Sequence, residues 1–516
     1  TFFGLTIAYS GLQAANTSLT ITGHNVSNIN TKGYTKQQAG TQAADALRTH
    51  TTYGAIGSGV VVTEISQIRD SYYDVKYRNN MANYGQYSVK ESYMGQIEDY
   101  LDEFTLNGYS QEYKNFFSAV NQLTITPGDT SAKNQLINNA KSLADYFNTL
   151  TTNLRNVQAD ANNEIKDAVQ QINSYAKNIA ALNRQINQIE ANYGNANDLR
   201  DKRNAMIDEL SEIVNLETSE EDMGNNVSNF SVRINGQTLV SSYSYNTLET
   251  VARTDKKNYS DAEGLYDVQW NSGQKFDMYS TSLSGHLKGL IDIRDGNNGE
   301  HENIETDDDG NNVTDSDGNL VLTTAPAADK TVSYKGVPYY QAQLNEFAKI
   351  FSDAVNKIMK SGYTSDGSNK GISLFVTQPN TTVMSAGNIT VNPELLKNAD
   401  LLAIKKEQND GESDAKIMEE LNKLQSEKIF AGGTGSYFLE SIVSDMSIDS
   451  QKAVNLYKNY TDLKTSIHNQ RLSIMGVDTD EEAMDMIKYQ QAYNLNSKMM
   501  SVMNQIYDKL INQTGI

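Results

Sequence analysis

The sequence predicts an α+β multidomain protein with paired N- and C-terminal coiled-coil helices, a long-helix rod domain with small strands, and an inserted outer β-domain. Three observations support this prediction. Apolar residues repeat at heptad spacing near both ends, a second heptad repeat fills much of the first half, and short alternating segments rich in Gly, Asn and Asp follow it. Only 5 prolines occur in 516 residues, which favours long uninterrupted helices.

The first stretch, Leu5 to Thr35, carries the repeat on which the prediction depends. Its apolar positions are Leu5, Ala8, Leu12, Ala15, Leu19 and Val26, with the polar Thr22 interrupting the series. A matching strip near the other end consists of Ala492, Met499, Met503, Ile506 and Leu510, interrupted by the polar Asn496. Because such strips need partners in water, residues 1–40 and 479–516 are predicted to pair as helices, with each other or with other copies. Asp480 is the predicted cap of the last helix.

Residues 41–216 and 338–478 are predicted to form the mainly helical rod domain. The run from Ser131 to Asn192 keeps the three-four spacing apart from a stutter at Ala161 and Ile165. A continuous helix over this run would be roughly 90 Å long at about 1.5 Å per residue. The pattern leaves open whether the helix continues through the stutter.

Residues 217–337 are predicted to form the inserted β-rich outer domain. Phe230–Ile234 alternates at period two and meets Asn235-Gly236, a hairpin signal. An acidic loop covers 295–330, and its segments around Gly310 and Gly318 resemble Ca²⁺-binding loops. Ser316 and Thr324 stand where such loops carry the closing Glu, so we expect exposed turns there.

Composition and motifs argue against several classes of function. The net charge of −21 disfavours binding to nucleic acid and to anionic membrane surfaces. The chain has no cysteine, which excludes disulfides and thiolate metal sites, and no stretch predicts a transmembrane helix. Thr1 to Leu12 lacks the pattern of a secretory signal peptide. The 5 histidines are scattered and no nucleophile or phosphate-loop motif occurs, so we expect neither an enzyme nor a cofactor or metal.

Short motifs at both ends carry a family resemblance. The first reads Ser27-Asn28, then Thr31-Lys32-Gly33-Tyr34-Thr35, and predicts a helix end followed by a sharp turn. The second reads Asp480-Glu481-Glu482-Ala483, then Ile487-Lys488-Tyr489-Gln490-Gln491-Ala492-Tyr493. Both blocks resemble the terminal signatures of the bacterial flagellar axial proteins. Segments 197–216, 288–294 and 340–348 resemble the hook-associated members of that family.

The resemblance implies a structural protein of the bacterial flagellum that self-assembles helically into the first junction layer between hook and filament. It also implies export through the flagellar type III pathway and an extracellular location. The implied partners are copies of the chain in a ring or tube, hook protein below, hook-associated protein 3 above, and an export chaperone on the C-terminal helix. The expected assembly contacts are Leu5, Leu12, Leu19, Val26, Asn28, Gly33, Tyr34, Ile487, Tyr489, Gln490, Ala492, Tyr493, Met499, Met503, Ile506 and Leu510.

Two alternatives stay open on the sequence. The first alternative is another axial protein, either the hook or the filament subunit. The long helices before Glu217 argue against hook protein, and the early Gly33-Tyr34-Thr35 motif argues against the filament subunit. The second alternative is a surface adhesin or glycan-binding module carried by the β-domain, which predicts ligand binding by that segment.

Overall fold

The computed structural model describes residues 3–48, 54–101, 108–298, 303–304, 322–323, 332–379, 381, 383–411, 413–430 and 433–513. Helices dominate these ranges. They are α1 (Phe3–Ser27), α2 (Ser71–Leu101), α3 (Tyr109–Ile125), α4 (Thr130–Glu190), α5 (Asn197–Ile213), α6 (His286–Asp295), α7 (Val337–Ser361), α8 (Pro393–Lys397), α9 (Lys416–Leu424), α10 (Gly435–Met475) and α11 (Thr479–Asn512). A short 3-10 turn covers Ala399–Leu401.

The strands within these ranges are short. They are β1 (Gln37–Ala43), β2 (Leu47–Arg48), β3 (Ala55–Ile56), β4 (Val60–Gln67), β5 (Glu217–Asp222), β6 (Ser228–Ile234), β7 (Gln237–Ser241), β8 (Ser244–Tyr245), β9 (Leu248–Ala252), β10 (Tyr266–Trp270), β11 (Asn303–Ile304), β12 (Leu322–Thr323), β13 (Tyr363–Thr364), β14 (Phe375–Thr377), β15 (Ile389–Val391) and β16 (Ala403–Lys405). β5 to β8 form a four-stranded antiparallel sheet in chain order. The other sheets are antiparallel pairs: β1–β4, β2–β3, β9–β10, β11–β12, β13–β16 and β14–β15.

The predicted fold class is confirmed: long helices stand at both termini and pair, a long-helix body follows, and small strands interrupt it. The helix α4 runs for 61 residues without interruption, so it continues through the stutter. Leu150 and Leu154 before the stutter are buried, and so are Ile165, Ile172, Ile179 and Ile186 after it. The apolar strip therefore stays on one side of the helix although its period shifts.

The chain divides into two compact units. The first contains Thr1–Asn83, Gln171–Thr247 and Tyr460–Ile516, and the second contains Tyr84–Gln170 and Leu248–Asn459. The predicted insertion 217–337 crosses this division, because β5 to β8 belong to the first unit and β9 begins the second. The predicted domain boundaries describe an inner helical domain, a rod domain and an outer domain within an assembly, and they stay a prediction.

An aromatic cluster forms part of the core of the second unit. Phe347 is fully buried and stacks on Phe147, Phe351 and Phe430 at centroid distances of 5.3, 5.5 and 5.2 Å. These rings come from α4, α7 and the segment before α10, so their packing joins distant parts of the chain.

The region predicted to be β-rich also contains a buried helix, α6. Its last residue, Asp295, is paired with Arg294 at 2.6 Å and with Arg253 at 2.7 Å. The two guanidiniums outweigh the burial that opposes ionisation, and they hold the pKa of Asp295 far below its usual value. Most of the acidic loop lies outside the described residues, including the segments compared with Ca²⁺-binding loops.

Candidate assembly interface

The helices α1 and α11 pack against each other in antiparallel directions. The Asn25 amide Nδ2 donates to Glu482 Oε1 at 3.2 Å. A Cβ placed on Gly11 would lie 2.8 Å from Asn496 Nδ2, and one on Gly4 would lie 2.5 Å from Met503 Cε. These contacts pair residue 25 with 482, 11 with 496, and 4 with 503. A move of seven or fourteen residues toward the start of α1 therefore corresponds to an equal move toward the end of α11. This is the register of a heptad-based antiparallel pair.

The side of α1 that carries these contacts consists of small and polar residues spaced four and three apart. They are Gly4, Ala8, Gly11, Ala15, Ser18, Thr22 and Asn25. From Ala8 onward all of them are buried except the half-buried Gly11. Thr22, predicted as an interruption, is thus part of the buried row. Because this side of α1 has glycine at positions 4 and 11, the larger residues Met503 and Asn496 of α11 approach its backbone closely.

Helix α11 has three distinct faces. The inner face toward α1 holds the buried Glu482 and the half-buried Asp485, Tyr489, Ala492, Tyr493, Asn496, Met500, Met503 and Tyr507. An outer apolar face, exposed in the single chain, consists of Met484, Ile487, Leu495, Met499, Val502, Ile506 and Leu510. A third, polar face contains Gln490, Asn494, Ser497, Ser501, Asn504 and Asp508.

The residues predicted as assembly contacts are therefore divided among several environments. Leu5, Leu12, Leu19 and Val26 are half-buried beside the small-residue row of α1. Tyr489, Ala492, Tyr493 and Met503 lie on the inner face of α11. The outer face holds Ile487, Met499, Ile506 and Leu510, and the polar face holds Gln490. Asn28, Gly33 and Tyr34 lie in the turn after α1.

That turn closes on the end of α1 through side-chain hydrogen bonds. Asn28 Nδ2 donates to the His24 carbonyl at 3.0 Å, and Thr31 Oγ1 donates to Asn28 Oδ1 at 3.1 Å. The Tyr34 hydroxyl donates to Asn25 Oδ1 at 2.7 Å and lies 2.9 Å from His24 Nδ1, which is then its donor. The signature residues Asn28 and Tyr34 thus fold the chain back onto α1.

Asn25 is the side chain that joins the turn, β1 and α11. It is buried, and its Oδ1 also accepts from Gln37 N at 3.0 Å, while its Nδ2 donates to the Gln37 carbonyl at 3.0 Å. Sequence reasoning missed this role, although Asn25 follows Gly4, Gly11 and Ser18 at intervals of seven. The amide is satisfied on both ends, as a buried polar group must be.

Lys36 and Glu482 form the charged part of the same contact. The Lys36 ammonium lies 3.2 Å from Glu482 Oε1 and 2.7 Å from Glu481 Oε2. The Glu482 side chain is only 2% exposed, so its carboxylate is buried. Lys36 neutralises its charge, and Asn25 donates a hydrogen bond to it. Neither charge was predicted as a contact, because a heptad pattern reports only apolar positions.

The first turn of α11 is capped differently from the prediction. The cap is Asp478, whose carboxylate accepts from the backbone N of Asp480 at 2.8 Å and of Glu481 at 3.1 Å. The prediction of Asp480 as the cap was wrong, because Asp480 already lies inside the helix. Helix α11 begins two residues earlier than Asp480 would require, because Asp478 adopts the extended backbone of an N-cap.

Gly33 supports a testable prediction about this turn. Its φ is +80°, and a Cβ there would lie 3.0 Å from the Ala205 Cβ. Gly33→Ala is expected to destabilise the turn by about 1–2 kcal/mol. Gly23→Ala is the matched control, because Gly23 lies inside α1 with open space around it and should gain about 0.5–1 kcal/mol. Native-state amide exchange of residues 25–37 measures both, and equal effects would contradict the prediction.

The described part of the chain contains no group of three or more His, Cys, Asp or Glu placed to hold a metal ion. Within the same residues, no helix is long and apolar enough to cross a membrane. The helix pair, its charged contact and the outer face of α11 are packing surfaces.

Comparison with known proteins identifies the family to which these surfaces belong. Residues 94–375 match the flagellar hook-associated protein FlgK helical domain, and residues 468–513 match the flagellar basal body rod FlgEFG protein C-terminal region. The chain is 27% identical over 540 aligned residues to flagellar hook-associated protein 1 of Bacillus subtilis (strain 168), with 100% of this chain and 99% of the relative covered. For the Salmonella typhimurium protein of the same name, identity is 28% over 554 residues, with 98% of each chain covered.

A solved structure has a similar fold. The flagellar hook junction protein FlgK from Burkholderia pseudomallei matches with a TM-score of 0.58 at 15% identity, over 78% of this chain and 100% of that one. The matches support the interpretation as a hook-associated protein and none of the alternatives. Because the FlgK helical-domain match covers more than half of the chain, this chain belongs to the flagellar hook-associated protein FlgK family, a family of structural proteins of the bacterial flagellum.

Proposed function

We propose that this chain forms the first junction layer between hook and filament by packing its terminal helix pair against copies of itself. The observation that supports the proposal most directly is the outer face of α11, whose apolar residues lie between Met484 and Leu510 and are exposed in the single chain. Such a strip on a paired helix favours a further helical neighbour over water. The occupant we assign to it is the terminal pair of an adjacent copy.

The remaining partners are proposed from the family resemblance. The relatives are named hook-associated and hook junction proteins, which supports a place at the hook. The neighbours we propose, as the family resemblance implies, are hook protein below this layer and hook-associated protein 3 above it. Export through the flagellar type III pathway would expose the outer face before assembly. A dedicated chaperone that covers α11 until export fits this need, because an exposed apolar strip promotes association with the wrong partners.

Amide exchange on isolated hooks tests the proposal. After the protein is added to hooks, the amides of α1 and α11 are expected to exchange more slowly than in the free chain, because neighbouring copies cover them. The amides of β5 and of the turn between β5 and β6 serve as an internal reference. Unchanged exchange in α1 and α11 on hooks would contradict the assembly role.

A substitution on the outer face gives a second test. Val502→Asp places a charge on the exposed apolar strip, where it costs little in the single chain but would have to be desolvated between copies. We expect normal circular dichroism and at least about a tenfold loss of hook binding. Ser501→Asp is the matched control, because it adds the same charge to the polar face one residue away. Equal loss in both variants would mean that charge, and not the outer face, determines binding.

A further inference from the structure

A second set of charged side chains lies within the same unit and ends at the turn after α1. Six side chains of alternating charge, named here the Arg–Asp ladder, follow in the order Arg78, Asp208, Arg471, Asp74, Arg69 and Asp201. Each side chain is at most 16% exposed. The ladder connects α2, α5 and α10, together with the segment before α2.

Arg471 is the middle cation of the ladder. Its Nη1 lies 2.6 Å from Asp208 Oδ2, and its Nη2 lies 2.7 Å from Asp74 Oδ1. One guanidinium therefore bridges two carboxylates on different helices, which a lysine ammonium does not reproduce with the same geometry. Its guanidinium carbon also lies 4.9 Å from the centroid of the Tyr77 ring, which restricts its orientation.

The ladder ends on the segment that leads into β1. Asp74 pairs with Arg69 at 2.6 Å, and Arg69 lies 3.6 Å from Asp201. Asp201 in turn accepts from the backbone N of Thr35 at 2.9 Å and from its hydroxyl at 2.7 Å. The next backbone N, that of Lys36, donates to the Met475 carbonyl at 2.9 Å.

Met475 lies one helical turn after Arg471, so the last turn of α10 reaches residues 35 and 36 by two routes. The amide of Gln37 then bonds to Asn25 in the terminal pair, as described above. Three successive backbone amides thus connect to α5, α10 and α1 respectively. We propose that Arg471 is a positioning residue for the terminal helix pair, acting through Asp74, Arg69 and Asp201 on Thr35 to Gln37. The inference rests on the assembly role proposed for that pair.

Removal of Arg471 would separate the ladder into two halves without leaving a carboxylate unpaired. Asp208 keeps Arg78 at 2.8 Å, and Asp74 keeps Arg69. Arg471→Met also keeps an apolar stem of similar length beside Tyr77. The variant is therefore expected to fold, while the link between α10 and Thr35 is lost.

The test is site-resolved amide exchange of the free full-length chain. In Arg471→Met, the amides of Thr35, Lys36 and Gln37 are expected to exchange about tenfold faster, the effect of losing one charged hydrogen bond. Arg200→Met is the matched control. It removes a partly buried arginine of the same unit, paired with Glu190 at 2.7 Å and with Glu220 at 2.9 Å, outside the ladder. This control should leave the three amides unchanged.

Equal acceleration in both variants, or none in Arg471→Met, would overturn the proposal. The variant Arg471→Lys keeps the positive charge but not the geometry that bridges two carboxylates. If its three amides exchange as slowly as those of the parent chain, charge alone is sufficient and the proposal is overturned. These measurements need no hooks, so their failure is distinguishable from failure of the assembly role, which the exchange on hooks and Val502→Asp decide. If both hold, Arg471→Met should also bind hooks more weakly than Arg200→Met.

Discussion

Lys36→Met is expected to destabilise the contact between the turn and α11 by about 3 kcal/mol. The substitution removes the cation beside Glu482, whose side chain is 2% exposed and would then remain as a buried carboxylate without its cation, although Asn25 still donates to it. Because the contact joins α1, β1 and α11, local opening should spread to the terminal pair. Native-state amide exchange of residues 25–37 and of the first turns of α11 measures this loss.

The matched control removes both charges. Lys36→Met combined with Glu482→Met leaves no buried charge, so its stability should lie within about 1 kcal/mol of the parent chain. A double variant as unstable as Lys36→Met alone would show that the loss comes from packing. The contribution of the buried carboxylate would then be small.

The pH dependence of this contact follows from the pKa of Lys36. Burial lowers that pKa, but the hydrogen bonds that the Lys36 ammonium donates to Glu481 and Glu482 outweigh the burial and raise it above the usual lysine value. Since the folded value is the higher one, the stabilisation is fully present below the ordinary lysine pKa and is lost as the pH rises through the folded value. The difference between Lys36→Met and the parent should thus be constant from about pH 6 to about pH 9.

Phe347→Ala is expected to destabilise the second unit by about 3–5 kcal/mol. The Phe347 ring is fully buried and stacks on Phe147, Phe351, Phe430 and Phe438, so its removal leaves a cavity that none of them fills without moving. Exchange of α7 amides measured at increasing urea concentration reports the change.

Ile448→Ala is the control for this prediction. Ile448 lies on α10 in the same unit, but its side chain is 63% exposed, so truncation should change stability by less than about 0.5 kcal/mol. A comparable loss in both variants would contradict the assignment of Phe347 to the core.

Several features of this protein could be predicted from the sequence because they are local. Heptad spacing over Leu5 to Leu19 and over α4 identifies helices with one apolar side. The turn after α1 follows from Gly33, whose positive φ few other residues adopt. The terminal motifs also indicated the correct family, because each is a short contiguous block that can be identified without knowing the fold.

The tertiary structure alone decided which side of each terminal helix is covered. Helix α11 has two strips at helical spacing, and the more apolar one, with Leu495 and Val502, is the exposed one. The other strip packs on α1 because Gly4 and Gly11 leave room for Met503 and Asn496, and because Asn25 and Lys36 satisfy Glu482. Periodicity shows that a helix has an apolar side, but shape and charge complementarity between distant segments decide what covers it.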